Sequence, residues 1–272
     1  MTSHESPDLA RRTLRLDTTA DYTNVQAKSA NSIKITLSSD KYDELLAYPE
    51  LFTNESNSYV AMQSGVCWDL GTAQNKFDNQ NASFEYARRV SIYIPDLVMP
   101  VLAGAALDMN NRTLDLTFTK DILSSSTQLQ YLSIQDASVQ AVQTQSIVFD
   151  AVLATVVNVV DKRVLNLRLN GTTFDLIKSM NFLGLRKDRT FISITADFIT
   201  DKVVDRNKVV AVTTSAAAPL TVYVPDQTRP QLVHWFIDMT LNTLTMKFDE
   251  PLQVSEGGKR SYREYCSILV VS

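Results

Sequence analysis

The residue types that carry out most enzyme chemistry are scarce in this chain of 272 residues. Its two histidines, His4 and His234, lie outside any HxH, HExxH or Cys/His pattern that would bind a metal ion. His234 is predicted to lie on the surface of a strand. The seven glycines form no GxGxxG or GxxxxGKS/T phosphate-binding loop, and no GxSxG nucleophile motif is present. We therefore predict no catalytic residue, no cofactor and no enzyme activity.

Carboxylates are the remaining candidates for chemistry. Asp249 and Glu250 are adjacent, and two acids in a cleft can hydrolyse a glycoside, but a solvated turn at a strand end is the favoured interpretation. Asp96 and Asp226 are weak calcium candidates, because hard cations prefer carboxylate ligands. Dense DxD or DxNDN patterns are missing, and aspartate also forms turns and helix caps. We predict no metal site, with calcium at Asp96 and Asp226 as the alternative.

The composition is that of a folded protein without features of a nucleic-acid or membrane protein. Hydrophobic residues make up 44% and charged residues 21%, and the formal net charge is -4. A nucleic-acid-binding protein normally carries a basic stripe, which we do not find. The longest apolar run, residues 151–160, is broken by Asn158 and is shorter than the roughly 20 residues that cross a bilayer. It predicts a pair of strands or one long strand.

An internal repeat is the strongest signal in the sequence. The stretch YIPDLVMPVLAGAALDMNNRTLDLTF from Tyr93 aligns without gaps to YVPDQTRPQLVHWFIDMTLNTLTMKF from Tyr223, at an offset of 130 (223 − 93). Ten of the 26 aligned positions are identical. A second block, from Ser32, matches the pattern that starts at Val164, at an offset of 132 (164 − 32). Two blocks in the same order and at nearly the same spacing indicate a unit of about 130 residues.

The repeat divides the chain into three parts. We predict a complete repeat over residues 96–225, the C-terminal portion of a preceding repeat over 1–95, and the N-terminal portion of a further repeat over 226–272. These are called here the middle repeat, the N-terminal segment and the C-terminal segment. The first residues, MTSHESPDLARR, lack the apolar stretch of a signal peptide. Either the protein is cytosolic or Met1 is not the natural start, and the repeat favours the second interpretation.

Alternating apolar and polar residues predict the architecture of each repeat. Residues 113–119, 164–169, 191–195 and 209–212 are predicted strands, with one dry and one wet face as in antiparallel sheets packed together. Helical spacing appears only in Thr172–Met180 and in its counterpart Asp40–Ala47. The predicted fold is all-β, with tandem Ig-like antiparallel β-sandwich domains that each carry one short helix.

The element Tyr-x-Pro-Asp-x-x-x-Pro is predicted to join neighbouring domains. Proline fixes φ and cannot donate to a sheet, so paired prolines stiffen a linker and keep adjacent sheets apart. We call residues 93–100 the first joint and residues 223–230 the second joint. Their defining residues are Tyr93, Pro95, Asp96, Pro100, Tyr223, Pro225, Asp226 and Pro230.

The cysteines and the N-glycosylation sequons give information about the cellular compartment of the protein. Cys67 and Cys266 occupy non-equivalent positions in different repeats, so a bond between them within one domain is not expected. We predict that Cys67 is a buried thiol; Cys266 is either the same or bridges to another chain. Four Asn-x-Ser/Thr sequons are candidate N-glycosylation sites, which favours secretion: Asn54, Asn81, Asn111 and Asn170.

The motif P-x-L-x4-LDM-x3-TL-x-L-x-F, which spans Pro100–Phe118 and recurs in similar form from Pro230, resembles the Ig-like repeats of bacterial S-layer and adhesin proteins. It is more similar still to repeats of very large protist surface proteins, including the flagellar hairs called mastigonemes. Residues 248–251 (FDEP) fit the pattern that follows in such repeats, whereas residues 118–121 (FTKD) depart from it. A shared sandwich fold does not by itself specify a function.

The resemblance implies an extracellular or cell-surface location and tandem arrays with structural or adhesive roles. We expect a structural repeat segment of an extracellular filament, flagellar hair or cell-surface protein, which forms a rigid rod and provides assembly contacts. Its expected partners are neighbouring copies of the repeat or other filament subunits. The alternative is an adhesin or a glycan- or protein-binding module, and an accessory domain of an enzyme is a third interpretation.

Overall fold

The structure is a computed structural model that describes residues 14–29, 31–46, 48, 51–77, 87–157, 162–180, 183–203 and 206–252. Its helices are α1 (Ser39–Leu46) and α2 (Gly171–Ser179). Short 3-10 turns span Glu55–Asn57, Ser124–Ser126, Leu129–Tyr131 and Lys187–Arg189. The strands are β1 (Tyr22–Ser29), β2 (Ser32–Leu37), β3 (Tyr59–Val60), β4 (Arg88–Arg89), β5 (Leu102–Asp108), β6 (Thr113–Phe118), β7 (Ile122–Leu123), β8 (Leu132–Gln135), β9 (Ser146–Val148), β10 (Ala154–Val156), β11 (Val164–Leu169), β12 (Phe191–Ile194), β13 (Thr200–Asp201), β14 (Ala218–Pro219), β15 (Val222–Val224), β16 (Leu232–Asp238) and β17 (Thr243–Phe248).

The middle repeat contains the two large sheets of the described chain. One has five strands in the order β10-β11-β6-β5-β15, and the other has four in the order β14-β12-β8-β9. Pairing is antiparallel throughout, except that β15 runs parallel to β5. The all-β prediction is confirmed, because strands dominate and the described helices are two short ones. The assignment to Ig-like sandwiches in tandem stays a prediction.

A single hydrophobic core lies between these sheets. In β6 the side chains of Leu114 and Leu116 are fully buried, whereas the intervening Asp115 is partly exposed, as period-two alternation requires. Leu114 and Leu116 face Leu167 and Leu165 of β11 across the ladder. Side chains from the four-stranded sheet complete the core: Leu132, Ile134, Ile147, Ile192 and Ile194. Every buried hydrophobic residue of the described chain lies between Ala105 and Leu220.

Helix α2 covers one end of this core. Asn170 caps it, because the Asn170 Oδ1 accepts a hydrogen bond from the Thr173 N–H at 2.8 Å. Phe174 and Ile177 point into the core at helical spacing. Both predicted helices are confirmed; α2 begins and ends one residue earlier than the sequence pattern indicated, α1 begins one residue earlier, and Ala47, its predicted last residue, lies outside the described part. Helix ends are the least certain part of any such prediction, since the capping residue decides them.

Two predicted strands differ in the structure. Residues 209–212 form no continuous strand, because successive N–H groups bond to different partners: Val209 to the Ile199 carbonyl, Val210 to that of Pro100, and Val212 to that of Ile194. In the run 151–160, residues 151–153 are a turn held by the Asp150 carboxylate, and only β10 follows it. Residues 158–161 lie outside the described part.

Backbone conformation recurs at the offsets found in the sequence. Arg112 and Asn242, which are equivalent at the offset of 130, both have positive φ angles, 60° and 53°. In the turns before them, the Asp108 and Asp238 carboxylates each accept two backbone N–H groups. Positive φ also recurs at the offset of 132 in two further pairs, at positions 52 and 184 and at positions 74 and 206. Non-glycine residues seldom adopt positive φ, so these coincidences indicate shared turn geometry.

A longer-range motif recurs as well. The Asp69 carboxylate accepts hydrogen bonds from the backbone N–H and the side-chain Nδ2 of Asn75, at 2.9 Å each. The Asp201 carboxylate accepts the same pair from Asn207, at 2.9 and 3.1 Å. The β1–β2 and β10–β11 ladders also start from equivalent pairs of positions, 22 with 37 and 154 with 169. The recurrence therefore extends from sequence to hydrogen bonding.

The terminal segments differ from the middle repeat in burial. Strands β1 and β2 form one two-stranded sheet, and β16 and β17 form another. Their apolar side chains are exposed among the described residues, as for Ile33, Ile35, Trp235 and Ile237. No helix in the described part is long and apolar enough to cross a membrane.

Candidate functional site

The two joints are the candidate functional site, because the most strongly repeated sequence of the chain lies there together with its recurrent ion pairs. Each joint begins with a tyrosine, either Tyr93 or Tyr223, and ends with a proline, either Pro100 or Pro230. Each carries one aspartate, Asp96 or Asp226, that makes both a turn and an ion pair. We describe the second joint first, since it connects two repeats by side chains as well as by the chain itself.

In the second joint, Lys178 of helix α2 contacts two carboxylates of the C-terminal segment. Its Nζ lies 2.5 Å from the Asp226 Oδ2 and 2.5 Å from the Glu250 Oε2. The other Asp226 oxygen accepts the Thr228 N–H at 2.9 Å, and the Thr228 hydroxyl donates to Glu250 at 2.8 Å. We call Lys178, Asp226 and Glu250 the Lys178 cluster. The ammonium belongs to the middle repeat and both carboxylates lie beyond it, so this cluster bridges the joint.

In the first joint, the lysine comes from the hairpin that follows the joint and not from the helix that precedes it. The Lys120 Nζ lies 2.8 Å from the Asp96 Oδ2 and 2.8 Å from the Asp201 Oδ2, and it donates to the Val98 carbonyl at 2.6 Å. The Asp96 Oδ1 accepts the Val98 N–H at 2.9 Å, as Asp226 does from Thr228. We call Lys120, Asp96 and Asp201 the Lys120 cluster. It lies within the middle repeat and fixes the end of the joint.

The two clusters are related by an exchange of charge. Lys120 and Glu250 occupy the same position of their repeats, at the offset of 130 (250 − 120). Leu46, at the end of α1, is the counterpart of Lys178 at the offset of 132 (178 − 46). In the first joint, the preceding helix provides Leu46 and the following hairpin provides Lys120. In the second joint, the preceding helix provides Lys178 and the following hairpin provides Glu250. Each joint aspartate is paired with one lysine in either case.

Helix α1 lies against the first joint as α2 lies against the second. A cleft of about 200 Å³ separates them, lined by residues of α1 and of the middle repeat that include Tyr42, Leu46, Asp96 and Lys120. The Asp43 carboxylate of α1 forms an ion pair with Lys162 of the middle repeat. Helix α2 thus contacts the second joint through Lys178, and α1 contacts the middle repeat beside the first joint.

The electrostatic environment keeps these groups charged. For Asp96 and Asp226, partial burial alone would raise the pKa, but the lysine ammonium and the backbone N–H groups outweigh it, so the pKa of each carboxyl is lowered. Burial likewise opposes charge on Lys120 and Lys178, but their paired carboxylates raise the pKa of both amines. Asp96, Asp226, Lys120 and Lys178 therefore stay ionised over the neutral range.

At both joint aspartates, a calcium ion would compete with groups that the carboxylate already binds. One oxygen of Asp96 and of Asp226 binds a lysine ammonium, and the other binds a backbone N–H. A calcium ion would have to displace the ammonium to reach either carboxylate. The described residues contain no group of three or more histidine, cysteine, aspartate or glutamate side chains placed to hold a metal ion. Calcium binding stays untested.

The remaining joint residues occupy different environments. Tyr223 lies in β15, where it is part of the five-stranded sheet, and its hydroxyl donates to the Gly184 carbonyl at 2.8 Å. Pro100 is buried, whereas Pro225 and Pro230 are exposed. Pro95 and Tyr93 are partly exposed. The second joint therefore starts within the sheet of the middle repeat. The part of the chain that connects the two units outside any sheet is shorter than the repeated motif.

The sequons fall at turns and caps. Asn54 caps the 3-10 turn that follows it, and Asn170 caps α2. Asn111 lies exposed in the β5–β6 turn, where its Nδ2 donates to the Asp108 carboxylate. Asn81 lies outside the described residues. Nothing in this geometry tests whether a glycan is attached.

The other reactive residues are placed as follows. Cys67 is a free, half-buried thiol, whereas its counterpart at the offset of 132, Ile199, is fully buried. His234 is exposed in β16, on the strand surface. His4 and Cys266 lie outside the described residues.

Sequence reasoning missed the partners of the joint aspartates. Glu250 was considered only as an acid beside Asp249, and Lys120 and Lys178 were not singled out, because none of the three repeats as the same residue. The available signal was the opposite charge of Lys120 and Glu250 at equivalent positions. When the charge at one position reverses between two otherwise similar hairpins, the residue that pairs with that position is expected to differ between the repeats as well.

No protein-family model matches the chain. No curated protein matches it either. Among solved structures, the chain is similar to the N-terminal part of the bacterial S-layer protein SbsC (TM-score 0.28, 11% identity). It is also similar to the S-layer protein rSbsC(31-844) (0.27, 11%) and to domains 1-6 of surface layer protein SbsC (0.28, 12%). Each alignment covers 55% of this chain but 31%, 18% and 18% of those chains, respectively. TM-scores this low do not establish a common fold.

Proposed function

We propose that this chain is a structural repeat segment of an extracellular filament, flagellar hair or cell-surface protein, in which successive repeats form a rigid rod and provide assembly contacts. The observation that carries the proposal is the Lys178 cluster, a partly buried ion cluster that bridges the second joint. A rod requires its equivalent units to be held at a defined angle, and an ion cluster across the joint restrains that angle.

The length of the connection supports a rigid joint. The last sheet residue of the middle repeat is Val224 and the first strand of the next unit begins at Leu232. Within that interval, Asp226 is fixed by Lys178 and by the Thr228 N–H. Interfaces between domains of one chain move freely unless contacts restrain them, so these bonds distinguish a rod from a flexible string.

The location of the protein is part of the same proposal. Turn and cap positions of Asn54, Asn111 and Asn170 are compatible with glycans that project from the surface. Antibodies raised against the chain should label extracellular structures on intact, unpermeabilised cells. Labelling confined to the cytosol would contradict the proposal.

Small-angle scattering of the full chain, at a concentration where it is monomeric, tests the rod directly. We expect a profile that one elongated conformation fits, and a profile that only a mixture of conformations fits for Lys178→Met. A wild-type profile that itself requires a broad mixture of joint angles would refute the rod. The matched control is Lys208→Met, which removes an exposed pair with Asp197 outside the second joint and should leave the profile unchanged.

A further inference from the structure

The C-terminal hairpin exposes the positions that form the core of the middle repeat. Leu244 and Met246 in β17 are 37% and 39% exposed, whereas their counterparts Leu114 and Leu116 in β6 are 0% exposed. Trp235 and Ile237 of β16 are likewise exposed, although the equivalent positions in β5 are buried. A contiguous apolar face of this kind on a paired hairpin marks a surface that another element covers.

The N-terminal segment exposes the complementary positions. Ile33 and Ile35 of β2 are 54% and 47% exposed, and their counterparts in β11, Leu165 and Leu167, are 0% exposed. In the middle repeat, β11 pairs with β6 on one side of the β5–β6 hairpin, and β15 pairs with β5 on the other. Strand β2 and residues 92–94 occupy the positions of β11 and β15 in the preceding repeat.

We propose that the β16–β17 hairpin of one chain inserts between β2 and residues 92–94 of a second copy of this chain, so that two chains together complete one sandwich. The inference rests on the proposed function and names the partner in the assembly. The repeat identifies the partner site. Strand β2 and residues 92–94 are the equivalents of β11 and β15, the strands that flank this hairpin's counterpart in the middle repeat. Strand addition of this type joins the edge of a sheet in one chain to a strand of the other.

The middle repeat supplies the register of the new sheet. Leu167 faces Leu114 and Leu165 faces Leu116 across the β11–β6 ladder. Shifting each residue to its counterpart places Ile35 opposite Leu244 and Ile33 opposite Met246, in antiparallel orientation. On the outer face, Lys34 is placed opposite Thr245, as Asn166 is opposite Asp115.

The contact is heterologous, because the C-terminal hairpin and the N-terminal segment are different surfaces. After pairing, the complex as a whole keeps one free end of each type, so association continues from chain to chain instead of stopping at a dimer. Wild-type protein is expected to form a series of species whose mean mass rises with concentration.

Two blocked variants test this arrangement in the full chain. Leu244→Asp places a charge in the hairpin face, and Ile35→Asp places one in the receiving strand. Each variant alone should stay monomeric. Mixed in equal amounts, they should form a dimer with twice the monomer mass and nothing larger, because the intact hairpin of the Ile35→Asp chain fits the intact N-terminal segment of the Leu244→Asp chain. Light scattering coupled to size-exclusion chromatography measures this mass.

Controls keep the test decisive. Thr245→Asp changes the outer face of the same strand and should assemble like wild type. Both blocked variants leave the middle repeat untouched, and its unfolding transition confirms that each is folded. A cysteine at Lys34 in one chain and at Thr245 in another should form a disulfide between chains, in a background with Cys67→Ser and Cys266→Ser.

The outcomes separate this inference from the proposed function. If the mixture stays monomeric, or if the Ile35→Asp chain still dimerises by itself, head-to-tail completion by a second copy is wrong. That result leaves the rod untouched, because the stiffness of the second joint is measured within one chain. If wild-type protein is flexible at the joint but the variants form the dimer, the proposed rigid rod is wrong, whereas the proposed pairing with a second copy is correct.

Discussion

Replacing Lys178 with methionine removes the one cation of the Lys178 cluster while keeping an unbranched side chain against the core. Lys178 and its two carboxylates are 16%, 15% and 9% exposed at their side chains, so the cluster is mostly shielded from water. The variant leaves Asp226 and Glu250 facing each other without a counter-ion. We expect the C-terminal segment to lose its contact with α2.

The magnitude follows from the burial of the cluster. Exposed ion pairs contribute about 0–1 kcal/mol, and removal of one partner from a fully buried pair costs about 3–5 kcal/mol. The ammonium also lies 4.9 Å from the centre of the Phe174 ring, a contact worth about 0.5–1 kcal/mol. Discounting for the remaining exposure, we expect docking of the hairpin to weaken by about 2–3 kcal/mol, or roughly 30- to 150-fold in the equilibrium.

Hydrogen exchange measured by mass spectrometry reports this change by region. Peptides that cover residues 226–250 should lose protection by that factor, or down to the unprotected limit, while peptides from the core of the middle repeat keep theirs. The double variant Lys178→Leu with Glu250→Lys reproduces the pattern of Leu46 and Lys120 in the first joint and should recover part of the protection. Unchanged exchange in Lys178→Met, or an equal increase across the middle repeat, would refute the reasoning.

Three further predictions concern the core, pH and calcium. Gly184→Ala should destabilise the protein by about 3 kcal/mol in urea unfolding, because φ is +70° and the new Cβ would clash with the Ile177 side chain; at Gly171 nothing lies within 4 Å, so Gly171→Ala should change little. The scattering profile should stay constant from about pH 5 to pH 10 and change outside that window, since the pKa of Asp226 is lowered below 3.8 and that of Lys178 is raised above 10.5. A pH midpoint inside the window would contradict this assignment. Added calcium should leave the thermal midpoint unchanged, because the lysines already neutralise the joint aspartates; a rise would support the calcium alternative.

The repeat carried most of the information that the sequence offered about the fold. Alternation in residues 113–118 and 164–169 predicted β6 and β11 closely, because one face of each strand is buried and the other is wet. Helix α2 was predicted to within one residue for a similar reason, since Phe174 and Ile177 lie one turn apart on a buried face, whereas α1 shows the same spacing without a buried residue. The pattern failed at residues 209–212, where β-branched residues suit a strand but their N–H groups bond to three separate segments.

The joints were located from the sequence, but their chemistry was not. Paired prolines and aspartates repeat in sequence and are visible there. Lys178 comes from a helix 48 residues before Asp226 along the chain, and no local spacing reveals that contact. The exchange of Lys120 for Glu250 is also invisible unless the two repeats are compared for differences as well as identities.

The distance between spin labels across the second joint tests the central claim most directly. With Gln143→Cys in the middle repeat and Thr240→Cys in the β16–β17 turn, both exposed, and with Cys67→Ser and Cys266→Ser in the background, pulsed electron resonance measures the distribution of that distance in labelled chains diluted into unlabelled ones. The account predicts one narrow distribution for wild-type joints and a broad one in Lys178→Met. An equally broad distribution in both proteins would contradict it.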